Sequence, residues 1–394
     1  MSNYKFCFLF APGRCGIGLF LSLLDNHKEI VAMPFTLKFY SIFKNEKYNI
    51  NSDDLIKIIE EKTPFRYLKD GIVDPELSVK QDCSLYNHSI FCEELKKLIP
   101  SKNTITRREL IESVYIAYAI AIKKDLKNIK YFIINATYHD YLNEIDFDFK
   151  NHKSFFLLRD PREQLLSFLK MHHGKNYSLY SNKKMNYLTH SIFSQKENYY
   201  LLEKLQNENY DNQMIKFENL KKDPIKTMQS AAEFLEINFT EELKKPTLFG
   251  NLRLFETSFS NKLMSGMGAN NISNLKTHLN KYQIIQSEFI FSYYIKKFNY
   301  LPTKYKDNFL TRLLIFIQPF KYEILPSLDI FKKRSNVAKY KNNFYYKALN
   351  FFYRCSYNII IYFTNRFVNF SYLKLISNQK NVKLNKISTR LLKY

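Results

Sequence analysis

The chain has 394 residues, of which 45% are hydrophobic, and its 60 Lys and Arg outnumber 37 Asp and Glu to give a formal charge of +23. This hydrophobic content supports a packed core, so composition excludes a wholly disordered or fibrous protein. The five cysteines are scattered and form no Cys-x-x-Cys pair, which argues against a disulfide framework or a zinc site and fits a reducing compartment.

The first predicted elements are a short buried strand over Lys5–Pro12, a glycine-rich turn over Gly13–Gly18 and an apolar helix over Leu19–Asp25. A loop of this kind suits an anion, because backbone N–H groups and the dipole of the following helix point at whatever lies there. A tight strand-to-helix turn without a ligand explains the same residues. Leu19 and Phe20 occupy the positions where a P-loop nucleotide triphosphatase has Lys and Ser or Thr, which counts against ATP or GTP hydrolysis.

Helices and strands alternate through the rest of the first 300 residues. Residues 35–130 are predicted to be mainly helical, with Ser52 as one N-cap and a capping box at Thr106 and Glu109 that opens a helix reaching about Leu126. Asp160-Pro161 and Asp223-Pro224 each open a further helix, because Asp suits the N-cap and Pro the first helical position. This order predicts a three-layer α/β sandwich with a mostly parallel central sheet. The later predicted strands are Tyr131–Asn135, Ser154–Leu158 and Met214–Phe217.

Three segments of the chain resemble a known enzyme family. They are Ala11–Ile30, which contains the glycine-rich loop, Phe155–Phe168, which contains Arg159-Asp160-Pro161, and Phe217–Leu235. In this order they resemble bacterial-type sulfotransferases that use 3′-phosphoadenosine 5′-phosphosulfate (PAPS) as sulfuryl donor. The resemblance covers residues 5 to about 260 and implies the P-loop-like sulfotransferase fold.

The resemblance also implies how PAPS is held. In the family the loop binds the 5′-phosphosulfate, and an Arg and a Ser eight residues apart bind the 3′-phosphate. Arg159 and Ser167 have that spacing, although an ion pair with Asp160 and an ordinary helix-face serine are alternative interpretations. The candidate loop residues are Gly13, Arg14, Cys15, Gly16, Ile17 and Gly18, of which Cys15, Ile17 and Gly18 replace residues that usually carry hydroxyls in relatives.

Sulfuryl transfer needs a base for the acceptor hydroxyl and positive charge near the departing oxygen. The Pro-Glu pair and the strand-end lysine of many relatives are missing here. His139 is the candidate base, because it follows the predicted strand at Tyr131–Asn135 close to a family position for this group. Lys38 is the candidate for charge stabilisation. A surface histidine and a solvated lysine are the alternative interpretations. A cysteine near a helix N-terminus, such as Cys15, can also have a lowered pKa, but we interpret Cys15 as a small loop residue in the place of serine.

The last quarter of the chain is strongly basic. Residues 301–394 hold 18 Lys and Arg against three acidic residues and interleave them with aromatic side chains. We predict a sulfotransferase-like domain over residues 1–300 and a basic, aromatic-rich helical extension over residues 301–394. This extension contacts an anionic membrane surface, binds an acidic glycan or nucleic acid, or packs on the core with a solvated face. The absence of a zinc finger or RNA-recognition motif argues against nucleic acid.

These features lead to one functional expectation and two alternatives. The resemblance implies metal-free transfer of a sulfuryl group from PAPS to a hydroxyl acceptor, and a carbohydrate such as a glycan is expected by analogy with relatives. The alternatives are a catalytically degenerate binding protein with this fold, and a membrane or polyanion adaptor that acts through the basic extension. The sequence shows no signal-peptide pattern or spanning apolar stretch, so a cytoplasmic protein, with peripheral membrane contact as an option, is expected.

Overall fold

The computed structural model describes residues 4–36, 39–68, 82–99, 104–136, 141–174, 199, 211–257, 260–265, 284–285, 287–288 and 291–300. The chain divides into two compact units, one of residues 1–159 and 197–272 and the other of residues 160–196 and 273–394. Lys38, His139 and the predicted extension over residues 301–394 lie outside the described residues. The predicted domain boundary at residue 300 therefore stays a prediction.

Eleven strands are described. Short antiparallel pairs join β3 with β4, β8 with β9 and β10 with β11, while the other five strands form one sheet. The strands are β1 Lys5–Phe10, β2 Ile30–Ala32, β3 Lys47–Asn49, β4 Thr104–Thr106, β5 Tyr131–Asn135, β6 Lys153–Leu158, β7 Asn212–Lys216, β8 Thr247–Leu248, β9 Asn251–Leu252, β10 Leu254–Thr257 and β11 Ser260–Ser265.

The five-stranded sheet is parallel throughout, in the order β2-β5-β1-β6-β7. Its register aligns Leu9 with Asn135 on one side and with Phe155 on the other. Because β1 is central and buried on both faces, it reads as the continuous apolar run that the sequence shows. This sheet confirms the predicted α/β class.

Eleven α-helices and a 3₁₀ helix over Glu241–Lys244 accompany the strands within the described residues. The α-helices are α1 Ile17–Leu24, α2 Phe39–Ile42, α3 Ser52–Lys62, α4 Phe65–Leu68, α5 His88–Leu98, α6 Arg107–Ala121, α7 Leu142–Asp148, α8 Pro161–Gly174, α9 Phe217–Lys222, α10 Pro224–Leu235 and α11 Ser292–Lys297. None of the described helices combines the length and the apolar character needed to cross a bilayer.

Alternate side chains of β1 pack on opposite faces of the sheet, which gives the three layers. Cys7 and Leu9 belong to a buried cluster with residues of α1 and α10. On the other face, Phe6 and Phe8 contact Phe149, at ring-centroid distances of 4.4 and 5.4 Å. On that same face, Tyr115 of α6 packs on Phe132 of β5.

Polar side chains cap the N-termini of α3, α6 and α10. The capping box at Thr106 and Glu109 is confirmed, with both reciprocal hydrogen bonds present. Asp223 caps α10 through the amide of Lys226 at 3.0 Å, also as predicted. Asn51 rather than Ser52 caps α3, since its Oδ1 accepts from the amide of Asp54.

One predicted helix end was wrong. Helix α6 stops at Ala121 rather than near Leu126, because Lys123 turns to a positive φ of 59° and its amide donates to the carbonyl of Ile120. The amide of Lys124 then bonds to the carbonyl of Ala119, so the chain reverses after the helix within one turn.

In the second unit, α8 begins as the Asp-Pro pair predicts. Oδ1 of Asp160 accepts from the amide of Arg162 at 3.0 Å. The Arg162 guanidinium is buried and binds both the Asp160 carboxylate and Oε1 of Glu288, the latter at 2.6 Å. Asp160 is thus the ion-pair partner of Arg162, which ties the start of α8 to the segment near residue 288.

Candidate anion-binding site

The candidate site of the first unit lies at the carboxyl edge of the parallel sheet. From β1 the chain crosses to β2 on one side, and β6 lies on the other side of β1. Open α/β sheets bind ligands outside the carboxyl ends of strands at such a switch point. Here the edge carries the loop that follows β1, Asn135 at the end of β5, Arg159 directly after β6 and Phe217 directly after β7.

The loop after β1 has the backbone shape of an anion nest. Arg14 and Gly16 both have positive φ, 70° and 86° respectively. Gly16 is the N-cap residue of α1, where no side-chain cap bond is made, and its carbonyl accepts the first helical bond from Phe20 at 3.0 Å. The amides of the first helical turn, which a helix does not use internally, therefore stand at the loop as donors.

Gly16 is required at its position by two separate features. Its left-handed backbone favours glycine, because a side chain there crowds the neighbouring carbonyl. In addition, a Cβ on Gly16 would lie 2.3 Å from Cδ2 of Phe217. The Phe217 ring therefore packs directly on the loop backbone and fills the space that a side chain would need.

Arg159 is held next to the same loop. Its side chain is buried, and Nη1 donates to the carbonyl of Arg14 at 3.2 Å. The guanidinium stacks on the Phe217 ring, 4.9 Å from its centroid. Tyr199, itself fully buried, donates its hydroxyl to the Arg159 carbonyl at 2.9 Å. These contacts fix a cation against the loop before any ligand arrives.

Two of the three unusual loop residues turn their side chains into the protein. Cys15 is fully buried in the core cluster, and Ile17 packs against the same cluster. Burial raises the pKa of the Cys15 thiol well above its usual range, in spite of the nearby charges of Arg159 and Arg14. This excludes the alternative of a lowered thiol pKa and fits a small loop residue in the place of serine, because desolvation outweighs the two cations. Position 15 can offer a ligand only its backbone amide.

The third unusual residue, Gly18, makes room for an arginine from elsewhere in the chain. Nη1 of Arg253 donates to the Gly18 carbonyl at 3.0 Å. A Cβ on Gly18 would lie 3.3 Å from Nη2 of Arg253, so the guanidinium occupies the flank that a larger residue would cover. Arg253 is held in turn by its own amide, which donates to the carbonyl of Pro246 at 3.2 Å.

The charges around the loop are mainly positive. Arg14, Arg159 and Arg253 all belong to or contact this segment, and the acidic residue close enough to affect Cys15 is Glu218. Planar guanidinium groups bind phosphate-like oxygens in pairs, so arginines beside a left-handed glycine turn are chemically suited to hold a polyanion.

The chain segments that lead to the two candidate catalytic residues meet at this edge. Nδ2 of Asn135 donates to Oγ1 of Thr36 at 2.8 Å. Thr36 comes two residues before Lys38, and Asn135 comes four residues before His139. Lys38 and His139 lie outside the described residues. The roles assigned to Lys38 and His139 stay predictions.

Ser167 is the remaining residue that is predicted to contact the 3′-phosphate. Ser167 is buried on α8 of the second unit, whereas Arg159 and the loop belong to the first. Their shared contact with one phosphate stays a prediction.

Sequence reasoning missed Arg253, Phe217 and Tyr199 as parts of the site. The sequence indicates Phe217 only as the end of a predicted strand and the first residue of a family-like segment. A weak signal for Arg253 was available, because the loss of a hydroxyl at position 18 calls for a compensating donor. The sequence does not say which of many basic residues supplies it.

Comparison with known protein families gives one match, a model described as "Sulfotransferase domain" over residues 35–297. This match spans about two-thirds of the chain and begins after the glycine-rich loop. No curated protein matches the sequence.

Among the solved structures that are similar to the chain, three sulfotransferase structures match it at low identity. A sulfotransferase domain from the curacin biosynthetic pathway has 14% identity and a TM-score of 0.46, over 77% of this chain and 100% of that chain. A sulfotransferase domain from the Synechococcus PCC 7002 olefin synthase has 15% identity and a TM-score of 0.41, over 62% and 78% respectively. Sulfotransferase STF9 from Mycobacterium avium has 9% identity and a TM-score of 0.36, over 62% and 66%.

Proposed function

This chain belongs to the sulfotransferase domain family, and on that premise we propose that it transfers a sulfuryl group from PAPS to a hydroxyl group of an acceptor. The acceptor we propose is a carbohydrate, by analogy with bacterial-type relatives. The observation that carries the proposal is the loop between β1 and α1, where left-handed Arg14 and Gly16 are flanked by the guanidiniums of Arg159 and Arg253.

The hydrogen-bond donors around the loop suit PAPS, a polyanion that carries a 3′-phosphate and a 5′-phosphosulfate on its ribose. The Gly13–Gly18 amides and Arg14 would hold the 5′-phosphosulfate, as the resemblance implies, and Arg253 adds a guanidinium beside the end of that loop. Arg159 would hold the 3′-phosphate together with Ser167. The arginine side chains are already in place before the reaction. Their positive charge would therefore stabilise the 5′-phosphate oxygen, which gains negative charge as the sulfur–oxygen bond breaks, without any rearrangement of the protein.

The proposed reaction is an in-line displacement at sulfur. The acceptor oxygen forms the new sulfur–oxygen bond, the bond to the 5′-phosphate breaks, and 3′-phosphoadenosine 5′-phosphate (PAP) leaves with the electron pair. The acceptor proton passes to a base, for which His139 is proposed, with Lys38 stabilising charge nearby. The hydrogen bond between Asn135 and Thr36, which precede these residues in the chain, supports placing both at the carboxyl edge.

Two of the three departures from the family loop weigh less than the sequence alone indicates. Cys15 is buried in the core, so the lost hydroxyl at this position would not face a ligand in this loop conformation. Gly18 lacks a side chain, but Arg253 lies against it and carries a full charge. A hydrogen bond from a charged donor contributes about 1.5–3 kcal/mol, which can offset the loss of a neutral hydroxyl contact.

The proposal is tested by PAP release from PAPS in the presence of oligosaccharide acceptors. Arg159→Ala and Arg253→Ala should each lower kcat/KM, because both guanidiniums flank the donor loop. Lys5→Ala is the matched control, since it removes a positive charge at the opposite end of β1, where Lys5 is exposed. Acceptor-dependent PAP release that survives Arg159→Ala unchanged would refute the assignment of this loop as the donor site.

A second candidate function is donor binding without catalysis. It is favoured by the missing Pro-Glu acid and strand-end lysine, which leave His139 as the nominated base. PAP binding without PAP release, over a broad range of hydroxyl acceptors, would select this alternative. A His139→Ala variant that keeps full activity would show that another group takes the proton.

The basic extension over residues 301–394 is proposed to contact an anionic membrane surface, on the strength of its charge and its interleaved aromatic residues. Binding of the full chain to vesicles with and without anionic lipid tests this. Equal binding to both vesicle types would exclude an electrostatic contact.

A further inference from the structure

Three side chains from two helices of the first unit form a compact cluster of metal-ligating groups. Glu60 comes from α3, and His88 and Cys92 come from the first and second turns of α5. Nε2 of His88 lies 2.7 Å from Oε1 of Glu60 and 3.6 Å from Sγ of Cys92. All three ligand atoms lie within 4.8 Å of one another.

The two helices hold this cluster through contacts of their own. Ile59 and Phe91, the sequence neighbours of Glu60 and Cys92, are fully buried. A second link joins the helices on the outside, where Nζ of Lys96 lies 2.8 Å from Oδ1 of Asp53. The ligand positions are therefore preformed, and an ion would not have to bring the helices together.

The other ring nitrogen of His88 also has a hydrogen-bond partner. Nδ1 lies 2.9 Å from the hydroxyl of Tyr86. Tyr86 is buried, with its ring 6.1 Å from that of Phe65 and 6.2 Å from that of Phe91. A metal-bound histidine almost always makes a hydrogen bond through its second nitrogen, which fixes the ring orientation and the tautomer.

We propose that Glu60, His88 and Cys92 bind one divalent ion of the zinc type, with a water molecule as the fourth ligand. Thiolate, imidazole and carboxylate are all zinc ligands, and His88 and Cys92 are spaced i and i+4 on one helix face. Tetrahedral bonds of about 2.3 Å to sulfur and 2.0–2.1 Å to nitrogen separate those two atoms by about 3.6 Å. The observed Sγ–Nε2 distance is 3.6 Å. The Glu60 oxygen, now 2.7 Å from Nε2, must withdraw by roughly 0.7 Å, because tetrahedral bonds to nitrogen and oxygen separate those atoms by about 3.4 Å.

Binding replaces protons with the ion. The Cys92 thiol gives its proton to solvent and becomes the sulfur ligand, while the ion takes the place of any proton on Nε2 of His88 and Nδ1–H donates to Tyr86. The sequence concealed this site, because scattered cysteines and a lone His-x₃-Cys spacing do not reveal that Glu60 of a different helix completes the set.

Titration of the full chain with Co²⁺ tests the proposal, because a cobalt–thiolate bond gives a near-ultraviolet charge-transfer band. We expect a band that saturates at one ion per chain and disappears when Zn²⁺ is added. Cys92→Ser and His88→Ala should lose the band, and Tyr86→Phe should weaken binding about tenfold. Cys83→Ser is the matched control, because Cys83 is a buried cysteine outside the cluster and its loss should leave the band unchanged.

A second measurement covers variants that fold poorly. Zn²⁺ should raise the melting temperature of the unaltered chain and of Cys83→Ser, but not that of Cys92→Ser. Absence of a thiolate band in the unaltered chain, or a band that persists in Cys92→Ser, would show that Glu60, His88 and Cys92 do not bind the ion.

Discussion

Replacing Gly16 by Ala should disturb the loop in two separable ways. The first is the left-handed backbone, at φ 86°, which costs an alanine about 1–2 kcal/mol. The second is steric, because the new Cβ would lie 2.3 Å from Cδ2 of Phe217. Forcing an added methyl group into occupied space typically costs about 1–3 kcal/mol. Only the second cost depends on the Phe217 ring.

A double-mutant cycle with Phe217→Ala separates these two costs. The effect of Gly16→Ala should be smaller by about 1–3 kcal/mol when the Phe217 ring is absent, which is roughly a 5- to 150-fold difference in an equilibrium constant. The backbone cost remains in both backgrounds. Phe217→Ala alone also removes the ring under Arg159, so the comparison must use the cycle and not the single variant.

The cycle is read from PAP affinity by calorimetry together with the free energy of unfolding in urea. Both are measured because a distorted loop lowers PAP affinity, whereas a displaced Phe217 ring lowers the free energy of unfolding. The coupling energy between the two substitutions is the sum of the coupling in binding free energy and the coupling in unfolding free energy. If Gly16→Ala costs the same total with and without Phe217, then the ring does not occupy the space beside the loop and the described packing is wrong.

Three further predictions concern other residues of the first unit. Arg253→Ala should weaken PAP binding about 10- to 150-fold, because one charged hydrogen-bond donor contributes roughly 1.5–3 kcal/mol, and unchanged affinity in calorimetry would remove Arg253 from the site. Arg107→Ala should lower the free energy of unfolding in urea by about 3–5 kcal/mol, because it leaves the buried carboxylate of Asp148 without its bidentate partner, and a loss below about 1 kcal/mol would contradict this. Burial lowers the pKa of the Lys124 amine from 10.5 to about 8. Between pH 8 and 10.5 the unfolded chain therefore binds more protons at this amine than the folded chain does. Because of this difference, the contribution of Lys124 to the free energy of unfolding rises with pH in that range. Lys124→Met should remove that rise, which amounts to at most about 3 kcal/mol, and an unchanged pH slope would show that the amine titrates normally.

Much of the fold could be predicted from local sequence signals. The capping box at Thr106 and the Asp-Pro starts of α8 and α10 depend on residues within one helical turn, so the sequence carries the whole signal. The strand–loop–helix unit around Gly13–Gly18 was recognised for the same reason. By contrast, α6 stops five residues early because of a positive φ at Lys123, a residue type that seldom adopts it.

The site was predictable only in part, because several of its parts come from distant segments. Arg253 is 235 residues from Gly18 in sequence, and no local pattern links the two. The orientation of Cys15 could not be foreseen either, since a loop residue can face a ligand or the core. Its burial raises the thiol pKa, which excludes an activated cysteine. Glu60, His88 and Cys92 likewise meet only because α3 and α5 pack together.

The central claim is that the loop after β1 and Arg159 form a PAPS site, and calorimetric titration with PAP alongside ADP tests it most directly. We expect micromolar binding of PAP, with a clear preference over ADP, which lacks the 3′-phosphate. This preference should be lost in Arg159→Ala. The Lys5→Ala control should bind PAP as the unaltered chain does. No binding of PAP, or equal binding of PAP and ADP, would contradict the claim and show that this loop does not serve PAPS.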